Sequence, residues 1–298
     1  MKAMLLRGLA PLSQNPTPLS LASVADPEPG ADEITIRVTR CGVCHTELDE
    51  IEGRTPPPRL PVIIGHQVVG VTETGPRVGV AWIASACGEC DYCKSGQENL
   101  CPQFLATGRD MDGGYAEFIK VRADFVHPIP DALSDSEAAP LLCAGAIGYR
   151  SFRLSNIRDG QTLGLMGFGG SNHLVLKITN YHLPLTKTFV FSRSPAEREF
   201  ALSLGAAWAG AIDEVPPSAL DAVIDTTPVW GPDMEALKRL KPGGRLVINA
   251  IRKQDNDREV LSTLDYPSQL WMEKEIKSVA NVTRQDVREF LSLAAEAE

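Results

Sequence analysis

Apolar and polar positions divide the chain into two halves with different periods. From residue 3 to about residue 71, apolar residues alternate with polar ones and are punctuated by Gly and Pro. The run at 33–39, Glu-Ile-Thr-Ile-Arg-Val-Thr, is the cleanest period-two segment. Alternation sends successive side chains to opposite faces of a strand, so it predicts an antiparallel β domain with one buried face. From about residue 144 the pattern changes. Short apolar runs at 162–166, 188–192, 222–225 and 245–249 are spaced by helical stretches, including 196–204 and 233–240. Strands that alternate with helices predict βαβ units and a doubly wound parallel sheet. The expected organisation is α/β, with domains at 1–146 and 147–298.

The 298 residues suffice for two ordinary domains, each with a core of its own. A hydrophobic fraction of 43% and a charged fraction of 22% are those of a globular protein. The net charge of -9, with no cluster of Lys and Arg, argues against a nucleic-acid surface. Met-Lys-Ala-Met-Leu-Leu-Arg at the start contains no uninterrupted apolar segment, and nowhere do eighteen apolar residues run together. A cytoplasmic protein with no membrane partner is expected.

All seven cysteines, at 41, 44, 87, 90, 93, 101 and 143, precede the midpoint. Cys87, Cys90, Cys93 and Cys101 have the spacing C-x2-C-x2-C-x7-C within one polar stretch. Four thiolates around one zinc ion can order a segment too polar to form its own core. A disulfide pair is the alternative, and a reducing compartment disfavours it. Four protein ligands leave no open position, so this zinc is expected to be structural. Further metal-ligand candidates are a thiol of the Cys41–Cys44 segment that follows the 33–39 strand, His66 and Cys143. Taken singly, His66 reads as a core histidine and Cys143 as a small buried hydrophobe.

In the second half, the first apolar run leads into Gly167-Phe168-Gly169-Gly170-Ser171-Asn172, a G-x-G-x-x-G pattern with Asn172 at the third glycine. In βαβ context the first two glycines allow a tight turn and close approach to a pyrophosphate, whereas the third serves helix–strand packing. The second run ends in Phe191-Ser192-Arg193-Ser194, without the acid that would hold NAD ribose hydroxyls. Ser192 and Arg193 can donate to a 2′-phosphate, so NADP(H) is expected over NAD(H).

Taken together, several motifs resemble the zinc-dependent medium-chain alcohol dehydrogenases of the microbial type. They are Cys-Gly-Val-Cys-His-Thr-Glu at 41–47, Gly-His-Gln at 65–67, the four-cysteine segment, Asp-Gly-Gly-Tyr-Ala-Glu at 112–117, Leu-Cys-Ala-Gly at 142–145 and Gly-Phe-Gly-Gly at 167–170. They occur in the family's order over nearly the whole chain. The resemblance implies a GroES-like catalytic domain, mostly antiparallel β, before a Rossmann domain. It implies a catalytic zinc on Cys44, His66 and Cys143, hence two zinc ions per chain. It further implies that Thr46 receives the alcohol proton, that His45 faces the cofactor pyrophosphate and that Glu47 orients a ligand. The implied activity is hydride transfer between a nicotinamide cofactor and a small alcohol or aldehyde, in a dimer or tetramer. Rival readings are a reductase of bulkier or unsaturated aldehydes and a non-catalytic zinc and dinucleotide sensor.

The chain departs from the family's pattern at four places. Gln67 stands where many members have Glu, and Asp49 occupies the position of the relay His. A loop between residues 71 and 82 is shortened, which costs little if the strand ends still meet. Relatives also continue by a few tens of residues past the helix expected from residue 284. The C-terminal return to the catalytic domain is therefore expected to be missing, with exposed apolar surface and marginal stability as consequences.

Overall fold

In a computed structural model describing residues 1–297, the alternating N-terminal half forms β1 (Lys2–Leu6), β2 (Leu19–Ser23), β3 (Glu33–Cys41), β4 (Val62–Ile63), β5 (Val68–Thr72), β6 (Arg77–Val80), β7 (Ile83–Ser85), β8 (Leu105–Ala106), β9 (Phe118–Arg122) and β10 (Val126–Pro128). The main sheet has the order β10-β6-β5-β3-β9, with every pairing antiparallel. The period-two run explains the sheet's sidedness. Ile36 is buried and meets Ile119 across the β3–β9 pair, whereas its neighbour Arg37 is exposed. Ile36, Val68, Val78, Val80, Ile119 and Val121 form one core cluster. Burying each such side chain stabilises by roughly 1.5–3 kcal/mol. A smaller sheet, β2-β1-β4, closes over Leu6, Ile51, Val62 and Ile64.

The shortened 71–82 region is a tight hairpin. β5 pairs with β6 in the register Val68↔Val80 and Val71↔Arg77, and Thr72 N donates to Pro76 O at 3.1 Å. Gly75, at φ 106°, makes the reversal, so the strand ends meet.

The helices are α1 (His45–Ile51), α2 (Asp91–Lys94), α3 (Asp135–Pro140), α4 (Ala146–Ser155), α5 (Gly170–His182), α6 (Pro195–Ser203), α7 (Gly231–Arg239), α8 (Tyr266–Gln269) and α9 (Arg284–Glu296). Among the described residues none is long and apolar enough to cross a membrane. In the second half β11 (Thr162–Met166), β12 (Lys187–Phe191), β13 (Trp208–Gly210), β14 (Leu220–Asp225), β15 (Leu240–Ile248) and β16 (Glu275–Ser278) form a parallel sheet of order β13-β12-β11-β14-β15-β16. β11 is buried along its whole length, as a central strand covered on both faces requires. The order changes direction between β11 and β14, the switch point of a doubly wound fold.

Contacts divide the chain into Met1–Ala146 with Asn281–Glu296, and Ile147–Ala280. The assignment of all of 147–298 to the second unit, with no return to the first, is corrected here: α9 packs in the first unit. Asn281, at φ 57°, turns the chain, and Thr283 and Asp286 cap the helix reciprocally. Val287, Phe290 and Leu291 form its buried face. Glu98 Oε1 accepts from both Arg284 N (3.0 Å) and Arg284 Nε (3.2 Å), so one carboxylate satisfies a first-turn amide and pairs with a cation. The Arg284 guanidinium also lies over the Phe125 ring, 4.7 Å from its centroid.

Candidate metal and cofactor sites

Three residues far apart in sequence converge in the first unit. Cys44, in extended conformation, immediately precedes α1. His66 lies between β4 and β5, after Gly65, whose φ of 100° and contact with the Tyr115 ring leave no room for a side chain. Cys143 lies in the single π-helical turn Leu141–Gly145 that joins α3 to α4. His66 Nε2 is 3.1 Å from Cys143 Sγ, and Cys143 Sγ is 3.8 Å from Cys44 Sγ. All three donor atoms lie within 4.8 Å of one another. Four tetrahedral zinc–sulfur bonds of about 2.3 Å imply sulfur–sulfur edges of about 3.8 Å, so the thiol spacing fits a shared ion.

Glu47 organises the cluster from the first turn of α1. One of its oxygens accepts from Cys44 N at 2.7 Å, and the other lies 2.5 Å from His66 Nδ1. This pins the imidazole with Nε2 toward the thiols, the support that a metal-binding histidine needs. Hydrogen bonds from Cys143, then from His66, hold the Cys44 thiol down to about 3 against the opposing effect of burial. Burial alone would lower His66, but bonds to Cys44 and Glu47 outweigh it and push the ring up to about 10. The interaction with Cys44, together with burial, raises the Cys143 thiol. A thiolate, a second thiol and a carboxylate-oriented imidazole form a donor set that suits zinc.

Thr46 Oγ1 lies 3.6 Å from Cys44 Sγ. Gln67 hydrogen-bonds to the Cys143 thiol and packs over Gly42, where a Cβ would lie 2.1 Å from Gln67 Oε1. His45 is exposed. Asp49 is ion-paired with Arg54, whose backbone amide also bonds back to Asp49 O. Two neighbours were not singled out from the sequence. Trp82 stands with its ring centroid 6.4 Å from His66 and 5.7 Å from Phe104. Glu50 is fully buried with neither carboxylate oxygen hydrogen-bonded, and burial pushes it up to about 8. Its place three residues after Glu47, on the same face of α1, was the available signal.

The four-cysteine segment forms the second cluster, with all sulfurs within 4.8 Å of one another. Cys87 Sγ lies 3.8 Å from Cys93 Sγ and 3.5 Å from Cys101 Sγ, far beyond the roughly 2.05 Å of a disulfide. Backbone amides of Glu89 and Cys90 donate to Cys87 Sγ, and those of Cys87 and Gln103 to Cys101 Sγ. Such N–H groups stabilise thiolates. The amides of Cys90, then Glu89, hold Cys87 down to about 6.

In the second unit β11 leads into Gly167, at φ 75°, and Gly169 and Gly170 open α5. A Cβ on Gly169 would meet nothing within 4 Å, which leaves the backbone open to a ligand at the start of a 13-residue helix. Asn172 replaces the third glycine with a bond network. Its buried amide donates to Met166 O (3.0 Å), Gly167 O (2.8 Å) and Thr226 Oγ1 (3.2 Å), tying the turn to the end of β14. At the end of β12, Ser192 is buried and its hydroxyl bonds to Glu197, while Arg193 is exposed with no hydrogen bond among the described residues. A carboxylate from the first turn of α6 thus meets the end of β12, five residues after Ser192.

An antiparallel β unit with a Cys–His–Cys cluster and a doubly wound unit with a glycine turn define the class: an oxidoreductase that combines a metal with a dinucleotide. Residues 30–131 match the family described as alcohol dehydrogenase GroES-like domain. A probable alcohol dehydrogenase of Mycobacterium tuberculosis (strain CDC 1551 / Oshkosh) is 42% identical over 294 residues, covering 94% of this chain and 83% of that protein. An alcohol dehydrogenase of Geobacillus stearothermophilus is 42% identical over 170 residues, 53% of this chain and 50% of its own length. Among solved structures, a cinnamyl alcohol dehydrogenase from Sorghum bicolor (L.) Moench superposes with a TM-score of 0.80 at 27% identity, over 99% of this chain and 87% of that one. The chain belongs to the zinc-type medium-chain alcohol dehydrogenase family. It is an alcohol or aldehyde oxidoreductase.

Proposed function

We propose that Cys44, His66 and Cys143 hold a catalytic zinc ion, that Cys87, Cys90, Cys93 and Cys101 hold a structural one, and that the chain interconverts an alcohol with NAD(P)+ and an aldehyde with NAD(P)H plus a proton. The convergence of Cys44, His66 and Cys143 within 4.8 Å, with Glu47 fixing the imidazole, carries this reading. Zinc held by Cys44, His66 and Cys143 would supply a Lewis acid for the substrate oxygen, while hydride chemistry belongs to the nicotinamide. The residues do the rest. Thr46 Oγ1 holds the hydroxyl proton of the alcohol, and Glu47 keeps His66 Nε2 aimed at the cluster. His45, exposed at the start of α1, is available to the pyrophosphate. Gly167, Gly169 and Gly170 cradle that group at α5. Asp49 stands at the relay position as a carboxylate ion-paired with Arg54.

Trp82 and Phe104 give the metal cluster an aromatic wall, which favours bulkier or unsaturated aldehydes as a second reading. Arg193 supports a preference for NADP(H), whereas Glu197 beside Ser192 supports NAD(H) as its rival. Seven cysteines with no disulfide among them accord with a cytoplasmic location. The exposed edge strand β16, with Ile276 and the neighbouring Trp271 and Met272 also exposed, supports association of two copies into a dimer or a larger homo-oligomer. Elemental analysis of the purified chain tests the core of the reading. Two zinc ions per chain are expected, falling to about one in Cys143→Ala with loss of turnover; full metal and full rate in that variant would overturn the assignment.

A further inference from the structure

One buried charge cluster in the second unit takes no part in the chemistry above. Lys253 Nζ lies 2.6 Å from Asp225 Oδ2 and 2.6 Å from Asp233 Oδ2. It also reaches the carbonyls of Thr227 (3.1 Å) and Val229 (3.0 Å). An ammonium group has three protons, and here four acceptors converge on it. Its side chain is 7% exposed, and those of Asp225 and Asp233 are 0% and 1% exposed. Burying three ionisable groups is costly, and apolar residues of similar volume often serve stability as well or better. The arrangement therefore calls for a use beyond stability.

The two carbonyls belong to the loop 226–230, which joins β14 to α7. The other carboxylate oxygen of Asp225 holds the loop's start, accepting from Thr227 N (3.2 Å) and Thr227 Oγ1 (2.8 Å). The Trp230 ring at the loop's end lies under the ammonium, 5.6 Å from it. The loop also touches the glycine turn: a Cβ on Gly167 would lie 3.1 Å from Thr227 Cγ2 and 3.2 Å from Thr226 Oγ1. Lys253 thus sets the position of a loop that packs directly on the dinucleotide turn.

Ligands of doubly wound sheets lie beyond the C-terminal ends of the strands at the switch point, here between β11 and β14. The end of β12 takes the adenosine ribose, and the glycine turn with the start of α5 takes the pyrophosphate. The remaining half of the dinucleotide must therefore extend over the ends of β14 and β15, where loop 226–230 and Lys253 lie. We propose that Lys253, through Asp225, Asp233 and the carbonyls of Thr227 and Val229, is a positioning residue for the nicotinamide half of the cofactor. This inference rests on the reading of the second unit as a nicotinamide-dinucleotide site.

The test compares the whole cofactor with its adenosine half on the purified full chain. Dissociation constants are measured for NADPH and NADH, and for the fragments 2′,5′-ADP and 5′-AMP, in the parent protein and two variants. One variant is Lys253→Met; the other adds Asp225→Asn, so that the cation is not removed from between two intact carboxylates. Tenfold or greater weakening of the preferred dinucleotide, with its fragment changed less than twofold, is the expected result in at least one variant. A purely structural loss weakens both ligands together. Equal weakening of both, or no change in either, overturns the role of Lys253 while leaving the cofactor reading intact. A parent protein that binds neither NADPH nor NADH overturns that reading, and this inference with it.

Discussion

Gly145→Ala is a sharp probe of how the chain closes its first unit. The residue lies two positions after Cys143, and a Cβ there would sit 2.0 Å from Phe290 Cε1, 2.7 Å from Cζ and 2.9 Å from Cδ1. Ordinary carbon–carbon contact is about 3.5 Å, so ring and methyl must separate by about 1.5 Å. Phe290 is 2% exposed on the buried face of α9, so the ring cannot simply swing into water. Overpacking of this kind costs about 1–3 kcal/mol. Replacing Gly by Ala in helical backbone returns up to about 1 kcal/mol, which leaves a net loss of up to about 2 kcal/mol. Urea unfolding followed by far-ultraviolet circular dichroism measures the net loss, and hydrogen exchange of 284–296 locates it. The Phe290→Ala background supplies the control. There the added methyl enters space vacated by the ring, and Gly145→Ala should become neutral or stabilising. The same cost in both backgrounds would refute the reasoning, because it would mean that the methyl and the ring do not compete.

Further outcomes follow from other sites. Burial, then the charge of Asp225, pushes Asp233 up to about 8, above the 3.8 of the unfolded chain, so the native state keeps a proton that the unfolded state has lost. This contribution is fully present below about pH 4 and is lost as pH rises to about 8, with a slope of up to about 1.4 kcal/mol per pH unit. Urea midpoints from pH 5 to 9 should fall less steeply in Asp233→Asn, and an unchanged slope would count against the shift. Arg193→Ala should raise the Michaelis constant for NADPH more than that for NADH, and Glu197→Gln should do the reverse; equal effects on both cofactors would remove each residue from the ribose site. Ile276→Lys, on exposed β16, should shift the protein toward monomer in sedimentation velocity, and an unaltered assembly would exclude that edge as the contact.

Residues whose signal is local were legible in the sequence. The alternation at 33–39 marked β3, because one buried face of a strand imposes a period of two on its own residues. Thr162–Met166 read as a strand because a central parallel strand is apolar on both faces. The cysteine spacing at 87–101 pointed to one metal cluster because its four thiols lie within a single segment. What escaped the sequence depends on partners that no local pattern announces. Asn172 looked like a weakened glycine motif, yet its amide is bonded to Thr226, 54 residues away. Glu98 read as one more polar residue of the cysteine segment until Arg284, 186 residues on, placed its backbone amide and guanidinium on the same oxygen. The same bonds explain why the return of 281–296 was missed. Docking depends on whether the helix finds an acceptor and an apolar seat, neither of which a local pattern announces. Glu98 supplies the first and the bare backbone of Gly145 the second, so a short amphipathic helix is enough to bring the chain back.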